Sequence, residues 1–503
     1  MSWTRSVMVL ACAGAAVLTG GCSSEEQFPT GLNPAIQPAG KPVPGLKVTP
    51  SQINLEGVGV TATVTVTPTA SSGPISVGVS EPPCVSVELK STKPNQVKYT
   101  ITATSAGTCS LLVTDGPTGG VQVQVTVAGL PLLPAKIAAG VFHTCGLDVN
   151  GAAYCWGNNP YGQLGNSTNL GITIVNPPTA VVGGLVFTSL TVGTWHTCGL
   201  TAAGEAWCWG ANWSGQLGNP TNSGVSDAAN PAPLPAAAGL TFTTLDAGGD
   251  HTCGITTQGA MYCWGMNALG QLATTTNLNN GLPNPPTLIP GNFTFTALTA
   301  GNGHTCGVTT SGATYCWGSN FIGQLGIGTT SAPVTTPTLL QGVPALSLVV
   351  AGADHTCGLT PAGAAWCWGG NYSGELSGTT NNPSPTPVAV SGGLTFTALA
   401  AGVGHTCGRT GAGTVYCWGN NLGGALGNLT NFGTSVANYD PLLAGVQNAV
   451  AIAAGGSHSC ALTGAGQGYC WGSNTYGELG FPYDNGPGTP TPTLITGLTF
   501  ATP

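Results

Sequence analysis

The stretch Ala139-Gly-Val-Phe-His-Thr-Cys-Gly-Leu-Asp-Val-Asn-Gly-Ala-Ala-Tyr-Cys-Trp-Gly-Asn-Asn-Pro-Tyr-Gly-Gln-Leu-Gly165 decides the fold. Its skeleton returns seven times: His-Thr-Cys, once His-Ser-Cys, with a second Cys ten positions on that opens Cys-Trp-Gly. The pairs are Cys145 with Cys155, Cys198 with Cys208, Cys253 with Cys263, Cys306 with Cys316, Cys357 with Cys367, Cys407 with Cys417, and Cys460 with Cys470. All 7 histidines of the chain open such a cassette: His143, His196, His251, His304, His355, His405 and His458. A Gly falls six residues after each first Cys, between two short apolar runs, which marks a hairpin turn. A period of about fifty residues that carries its own hairpin reads as a repeat architecture, with a β-propeller the first candidate.

Folding each cassette at that Gly sets its two Cys opposite each other across an antiparallel ladder. A non-hydrogen-bonded pair brings the Cα atoms to roughly 4.5 Å, inside disulfide range, so each cassette is expected to hold a disulfide. The competing reading is zinc. His and the first Cys are two apart and share a strand face, with the second Cys opposite. Every such site would need a fourth ligand, and none recurs, so no metal and no cofactor is expected. Each His is then structural, a hydrogen-bonding residue at the base of a loop.

The chain has 503 residues, of which only 5% are charged, with Gly 80 and Pro 38. The hydrophobic fraction of 42% and the alternation of apolar with small polar residues favour a folded β protein over disorder. The net charge is −8. From residue 135 onward Lys136 and Arg409 are the only basic residues, against ten acids. Phosphate neutralisation needs Lys and Arg, so nucleic-acid binding is not expected. Electrostatic attachment to anionic lipid is disfavoured for the same reason.

Residues 1–22 read as an export signal, with Arg5 in the n-region and Val7 to Leu18 as the apolar core. The end, Thr19-Gly20-Gly21-Cys22, resembles a bacterial lipoprotein box, although Thr19 stands where that box usually has Leu. The resemblance implies lipidation of Cys22 and a place in the bacterial cell envelope, anchored in the outer membrane and facing the periplasm or the surface. The membrane would be met only through that anchor, because no later run is long and apolar enough to span it. Residues 23–45 are polar, then Pro-rich, as in a flexible tether. Residues 46–129 carry several short alternating strands and resemble a bacterial immunoglobulin-like β-sandwich, with Cys84 and Cys109 as its bridge.

The composite Ala-Gly-x-x-His-Thr-x-x-Leu, then Trp-Gly-x-Asn-x-x-Gly-Gln-Leu-Gly, resembles the repeat of the regulator-of-chromosome-condensation family over about residues 135–503. The resemblance implies an all-β chain with a seven-bladed propeller. The Cys pairs and the scarcity of basic residues depart from the nuclear members. Each Trp of Trp-Gly is expected between blades. The tail Gly497-Leu-Thr-Phe-Ala501 repeats the segment that precedes other cassettes, and is expected to supply a strand missing from the first repeat.

If each hairpin turns at its Gly, the residue before each His and the residues after each Trp-Gly fall together at the opposite end. The candidate binding face is therefore Phe142, Trp195, Asp250 and Asp354 from the first set, with Tyr161, Trp213, Phe321, Tyr372 and Tyr476 from the second. Aromatic residues that vary on a repeated frame are how such faces acquire partners. The expected function is a lipid-anchored, extracytoplasmic binding or adhesion module, monomeric and not an enzyme, that engages a protein or glycan. A glycosidase or lyase using Asp250 and Asp354 is the alternative. A guanine-nucleotide exchange role is suggested by the family resemblance alone.

Overall fold

The computed structural model describes residues 136–502, apart from 379–380 and 483–487. Before them it describes 46–55, 61–67, 75–79, 85–93, 96–103, 107–115 and 120–127. The expected export signal with Cys22, the tether, and Cys84 of the expected Cys84–Cys109 bridge lie outside the described residues. The chain divides into two compact units between Leu133 and Pro134, and the described residues form strands without a helix.

The N-terminal unit holds two four-stranded sheets. One runs in the order Lys47–Thr49, Thr61–Thr67, Gln96–Ala103, Val85–Lys93. The other runs Gln52–Leu55, Gly120–Val127, Gly107–Asp115, Ile75–Val79, and its first pairing is parallel. The period-two alternation buries Val64, Val66, Val97, Tyr99 and Ile101 of one sheet with Leu111, Val113, Val123 and Val125 of the other in a single core.

The second unit consists of seven four-stranded antiparallel sheets in sequence order, each made of one repeat. Blade 1 runs Ile137–Ala139, His143–Leu147, Ala153–Gly157, Val175–Ala180, and blade 7 ends with Thr489–Leu494. In each blade the second and third strands are the Cys-bearing hairpin, with Cys145 facing Cys155 in blade 1 and Cys198 facing Cys208 in blade 2. All seven cassettes carry the expected disulfide. Cys145 is bonded to Cys155, Cys198 to Cys208, Cys253 to Cys263, Cys306 to Cys316, Cys357 to Cys367, Cys407 to Cys417 and Cys460 to Cys470. Their Cα atoms lie 4.0–4.1 Å apart, the close spacing of a non-hydrogen-bonded pair. The outer strands are rich in proline (Asn176-Pro-Pro, Asn284-Pro-Pro, Ser384-Pro-Thr-Pro), which removes donors from edges that would otherwise pair with other chains.

Blade joins blade through one repeated polar device. Each cassette hydroxyl donates to a main-chain carbonyl of the preceding blade, as Thr197 to Gln163, Thr252 to Gln216 and Thr144 to Glu478, at 2.8–3.1 Å over the ring. The same carbonyl accepts the indole N–H of the next Trp, as from Trp209, Trp264 and Trp156, at 2.7–3.0 Å. The hydroxyl proton being committed, its oxygen must accept from the His of the preceding blade through Nε2, at 2.7–2.9 Å. His458 to Thr144 closes the circle with the bond used everywhere else. The Trp lies between blades: Trp209 packs against the Cys145–Cys155 bridge of blade 1, and Trp317 against Cys253–Cys263 of blade 3. Gly157, after Trp156, has φ +110°, and a Cβ there would strike the Phe142 carbonyl and His143, so the hairpin admits only Gly.

The tail corrects one expectation. Blade 1 has its own inner strand, Ile137–Ala139, so no whole strand is missing. What the tail supplies is the start of that strand. Phe500 bridges Asp148, and Ala501 N–H donates to the Leu147 carbonyl at 2.9 Å, while Leu147 N–H donates to Lys136. Phe187 and Thr188 do the same work within blade 2. The inner strand of blade 1 is thus spliced from the two ends of the propeller. Phe500 is buried beside Trp156, as Phe242 is beside Trp264.

The belt makes its own tests. Thr252→Val leaves His196 without an acceptor and is expected to cost about 2 kcal/mol in urea unfolding. Thr252→Ser should restore it, because Ser459 fills this place in blade 7. Phe500→Ala is expected to cost about 3–5 kcal/mol on the same assay, as for a buried aromatic core residue. Burial pushes the histidines down from 6.5 to about 3, or about 4 for His405. Five of them have an Nδ1 with no donor or acceptor to meet a second proton. A lowered folded value gives stability that is complete above about pH 6.5 and lost as pH falls toward 3. Burial also raises Asp246, Asp354 and Glu375, and pushes Asp250 up to about 6 and Glu478 to about 7; these act in the opposite sense but are five against seven. The histidines outnumber the opposing acids, so the thermal midpoint is expected to fall as pH drops from about 6.5 toward 3, and a midpoint that rises over that range would refute the neutral belt.

Candidate binding face

In blade 1 His143 pairs with Gly157, so the loop before the second strand and the loop after the third lie at one end, opposite the Gly turn. The outer strand also starts there, since Gly157 faces Val175 and Gly210 faces Asn230. Two loops per blade therefore share one face, the one before the second strand and the one that joins the third strand to the outer strand.

These loops are held by their own repeated polar residues. Asn212 accepts from Leu217 N–H at 2.9 Å and donates to the carbonyls of Asn219 and Thr221. Gln216 Oε1 accepts from Ser214 N–H at 2.9 Å. Asn159, Asn267, Asn320, Asn371, Asn421 and Asn474 accept in the same way as Asn212. Glu375 and Glu478 stand where blades 1 to 4 have Gln, and a carboxylate oxygen takes over the capping of Ser373 and Tyr476 N–H. The frame uses most of its own polar groups, leaving Gln163 Nε2 and Gln271 Nε2 buried without a partner, and the residues between them are displayed.

The displayed residues fall into two groups. Tyr476, Phe142, Trp195, Tyr161 and Trp213 form a continuous arc over blades 7, 1 and 2. Ring centroids are 5.2 Å apart for Phe142 and Tyr476, 4.5 Å for Phe142 and Trp195, 5.4 Å for Tyr161 and Trp195, and 4.8 Å for Tyr161 and Trp213. Three of these contacts are edge-on, at 81–86°. Beyond Trp213 lies the Asp250 carboxylate, to which Gln216 Nε2 donates at 3.3 Å. Burial pushes Asp250 up to about 6, opposed by the nearby Trp213 side chain. Glu478, under the other end of the arc, is pushed up by burial to about 7, opposed by backbone donors.

Phe321 and Tyr372 stand apart on blades 4 and 5, 58% and 62% exposed. Asp354 lies at the surface of blade 5, where its charge raises the already desolvated Glu375. Asp250 turns toward blade 2 and Asp354 lies beside Glu375, so the pair named for hydrolysis does not converge. The sequence reading missed Glu375, Glu478 and Leu422. Leu422 aligns with Trp213, Phe321 and Tyr372 after Trp-Gly-x-Asn, so the register alone could have found it; it is 51% exposed.

The inner mouth of the propeller, between Gly140, Gly193, Gly248, Gly301, Gly352, Gly402 and Gly455, opens to a funnel of about 280 Å³. Ala and Gly line most of it, leaving few chemical handles. Among the described residues no cluster of His, Cys, Asp and Glu could hold a metal ion.

Models of the "Regulator of chromosome condensation (RCC1) repeat" match this chain at residues 135–163, 187–216, 242–271, 295–324, 347–375, 396–424 and 449–478. A second model of that description matches 150–200, 203–255, 258–308, 311–359 and 412–462. The chain is 29% identical over 246 residues to the ultraviolet-B receptor UVR8 of Arabidopsis thaliana, covering 48% of this chain and 54% of that protein. It is 31% identical to the probable E3 ubiquitin-protein ligase HERC4 of Homo sapiens, covering 39% of this chain and 18% of that one. It therefore spans about half, or less, of the length of these relatives. Among solved structures, Prp20p of Saccharomyces cerevisiae superposes with a TM-score of 0.60 at 22% identity, covering 70% of this chain and 87% of that one. Human WBSCR16 gives 0.57 at 21% identity, covering 65% and 85%. These likenesses speak for the fold, and the repeated matches along the propeller place this chain in the regulator of chromosome condensation (RCC1) repeat family.

Proposed function

We propose that this chain is a binding module that offers the loop face of its propeller to a protein or glycan outside the cytoplasm. The observation that carries the reading is the arc Tyr476–Phe142–Trp195–Tyr161–Trp213, half-buried rings pre-packed on loops that are themselves braced. Rigid aromatic anchors lose little entropy on binding and dominate hot spots. The seven disulfides favour an oxidising compartment, and the lipoprotein-like Cys22 favours the bacterial envelope. On this reading the N-terminal unit is a spacer between anchor and propeller, and the molecule is monomeric.

A glycosidase or lyase has less support, because Asp250 and Asp354 face different blades. Prp20p of Saccharomyces cerevisiae binds Gsp1p and histones. A GTPase-directed role here would need a cytoplasmic protein, against the disulfides. Affinity capture from envelope extracts tests the proposal, comparing wild type with a Trp195→Ala, Trp213→Ala, Asp250→Ala variant. The variant is expected to keep its thermal midpoint within a few degrees and to lose its partner at least tenfold. Equal recovery by both proteins rejects the face.

A further inference from the structure

The loop face exposes apolar side chains on five successive blades: Val225, Leu282, Phe321, Tyr372 and Leu422 are each more than half exposed. The arc extends this surface over blades 7 and 1. Asp250, Asp354, Glu375 and Glu478 lie among these residues, and no cation of the described propeller does. Lys136 Nζ is bonded to the Thr188 carbonyl and Arg409 to the Ala449 carbonyl, both toward the opposite end. The histidines are buried and neutral. The face is thus apolar and anionic, with its carboxylates already partly out of water and unmatched by charge.

Such a surface selects its occupant by charge. A desolvated carboxylate gains most from a cation delivered into a dry interface. Ring faces attract the same cations. The Trp213 side chain lies beside the Asp250 carboxylate, which Gln216 Nε2 reaches at 3.3 Å, so one guanidinium can lie on the indole and bond the carboxylate. A second copy of this chain is a poor occupant, because two such faces would set acid against acid. A sugar is less suited, because the rings meet edge-on and offer no shared plane for stacking.

We propose that the loop face binds a basic polypeptide surface, with an arginine or lysine seated against Trp213 and Asp250. This rests on the reading of the face as a binding surface and names the chemistry of the partner. The probe is a synthetic Arg-Gly repeat peptide, titrated calorimetrically against the full chain, with its uncharged citrulline-Gly twin and a chitooligosaccharide as the alternatives. The arginine peptide is expected to bind at least tenfold more tightly than the twin and to weaken as salt is raised. Asp250→Asn should lower its affinity at least fivefold. Glu478→Gln, which restores the residue of blades 1 to 4 and so should fold, is expected to weaken binding less, being under the far end of the arc.

Equal binding of the citrulline twin, tighter binding of the oligosaccharide, no binding of the arginine peptide, or an Asp250→Asn protein of unchanged affinity would each overturn the proposal. If the peptide fails but the triple variant still loses its captured partner, the face binds something other than a cation. If both fail, the face itself falls.

Discussion

One main-chain carbonyl per blade governs this propeller. The carbonyls of Gln163, Gln216, Gln271, Gln324, Glu375, Ala425 and Glu478 each receive a hydroxyl and an indole from the next blade. The same hydroxyl accepts from a histidine of the blade behind. Hydrophobic packing alone is non-directional and would let blades slide. A buried bond that must be made fixes both the angle and the register between neighbours. The constraint reaches the sequence directly: His, a hydroxyl and Trp recur because each is one arm of that junction. Ala425 shows that the carbonyl matters and the side chain does not, since it accepts as well as any Gln.

The same residue serves the loops from its other end. Where the side chain is Gln or Glu, it caps a backbone N–H two residues earlier, and so ties the loop to the junction. The loop face thereby inherits the rigidity of the interior. What varies on it are side chains that no bond of the frame requires. The arc Tyr476 to Trp213 crosses the seam between blades 7 and 1, so the site straddles the place where the ring closes.

Much of this was legible in the chain. The spacing of Cys145 and Cys155 around a Gly named the hairpin, its disulfide and the end at which the loops collect, and the same spacing named the other six, from Cys198 and Cys208 to Cys460 and Cys470. The contact of Trp with the neighbouring blade followed from the same pattern. Three things were not legible, each for a physical reason. The partner of each His is fifty or so residues away in another blade, and a strand periodicity carries no inter-blade register. The grouping of Phe142, Trp195, Tyr161, Trp213 and Tyr476 apart from Phe321 and Tyr372 depends on which way loops lean. The tail resembled an entire strand start because Phe500 copies Phe242 and Phe396, but residues 137–139 already held most of the place.

That spliced strand orders events in time. On the proposed route of export, the chain meets the far side of the membrane blade by blade, and each hairpin can oxidise as it arrives. The inner strand of blade 1 cannot be completed until Phe500 and Ala501 emerge, because they are the first rungs of a strand whose remainder, Ile137–Ala139, arrived long before. Until then the Trp156 ring lacks its neighbour and Leu147 its last main-chain partner. Phe500 and Ala501 thus act as a clasp, added last over a seam that His458, Thr144 and Glu478 already join.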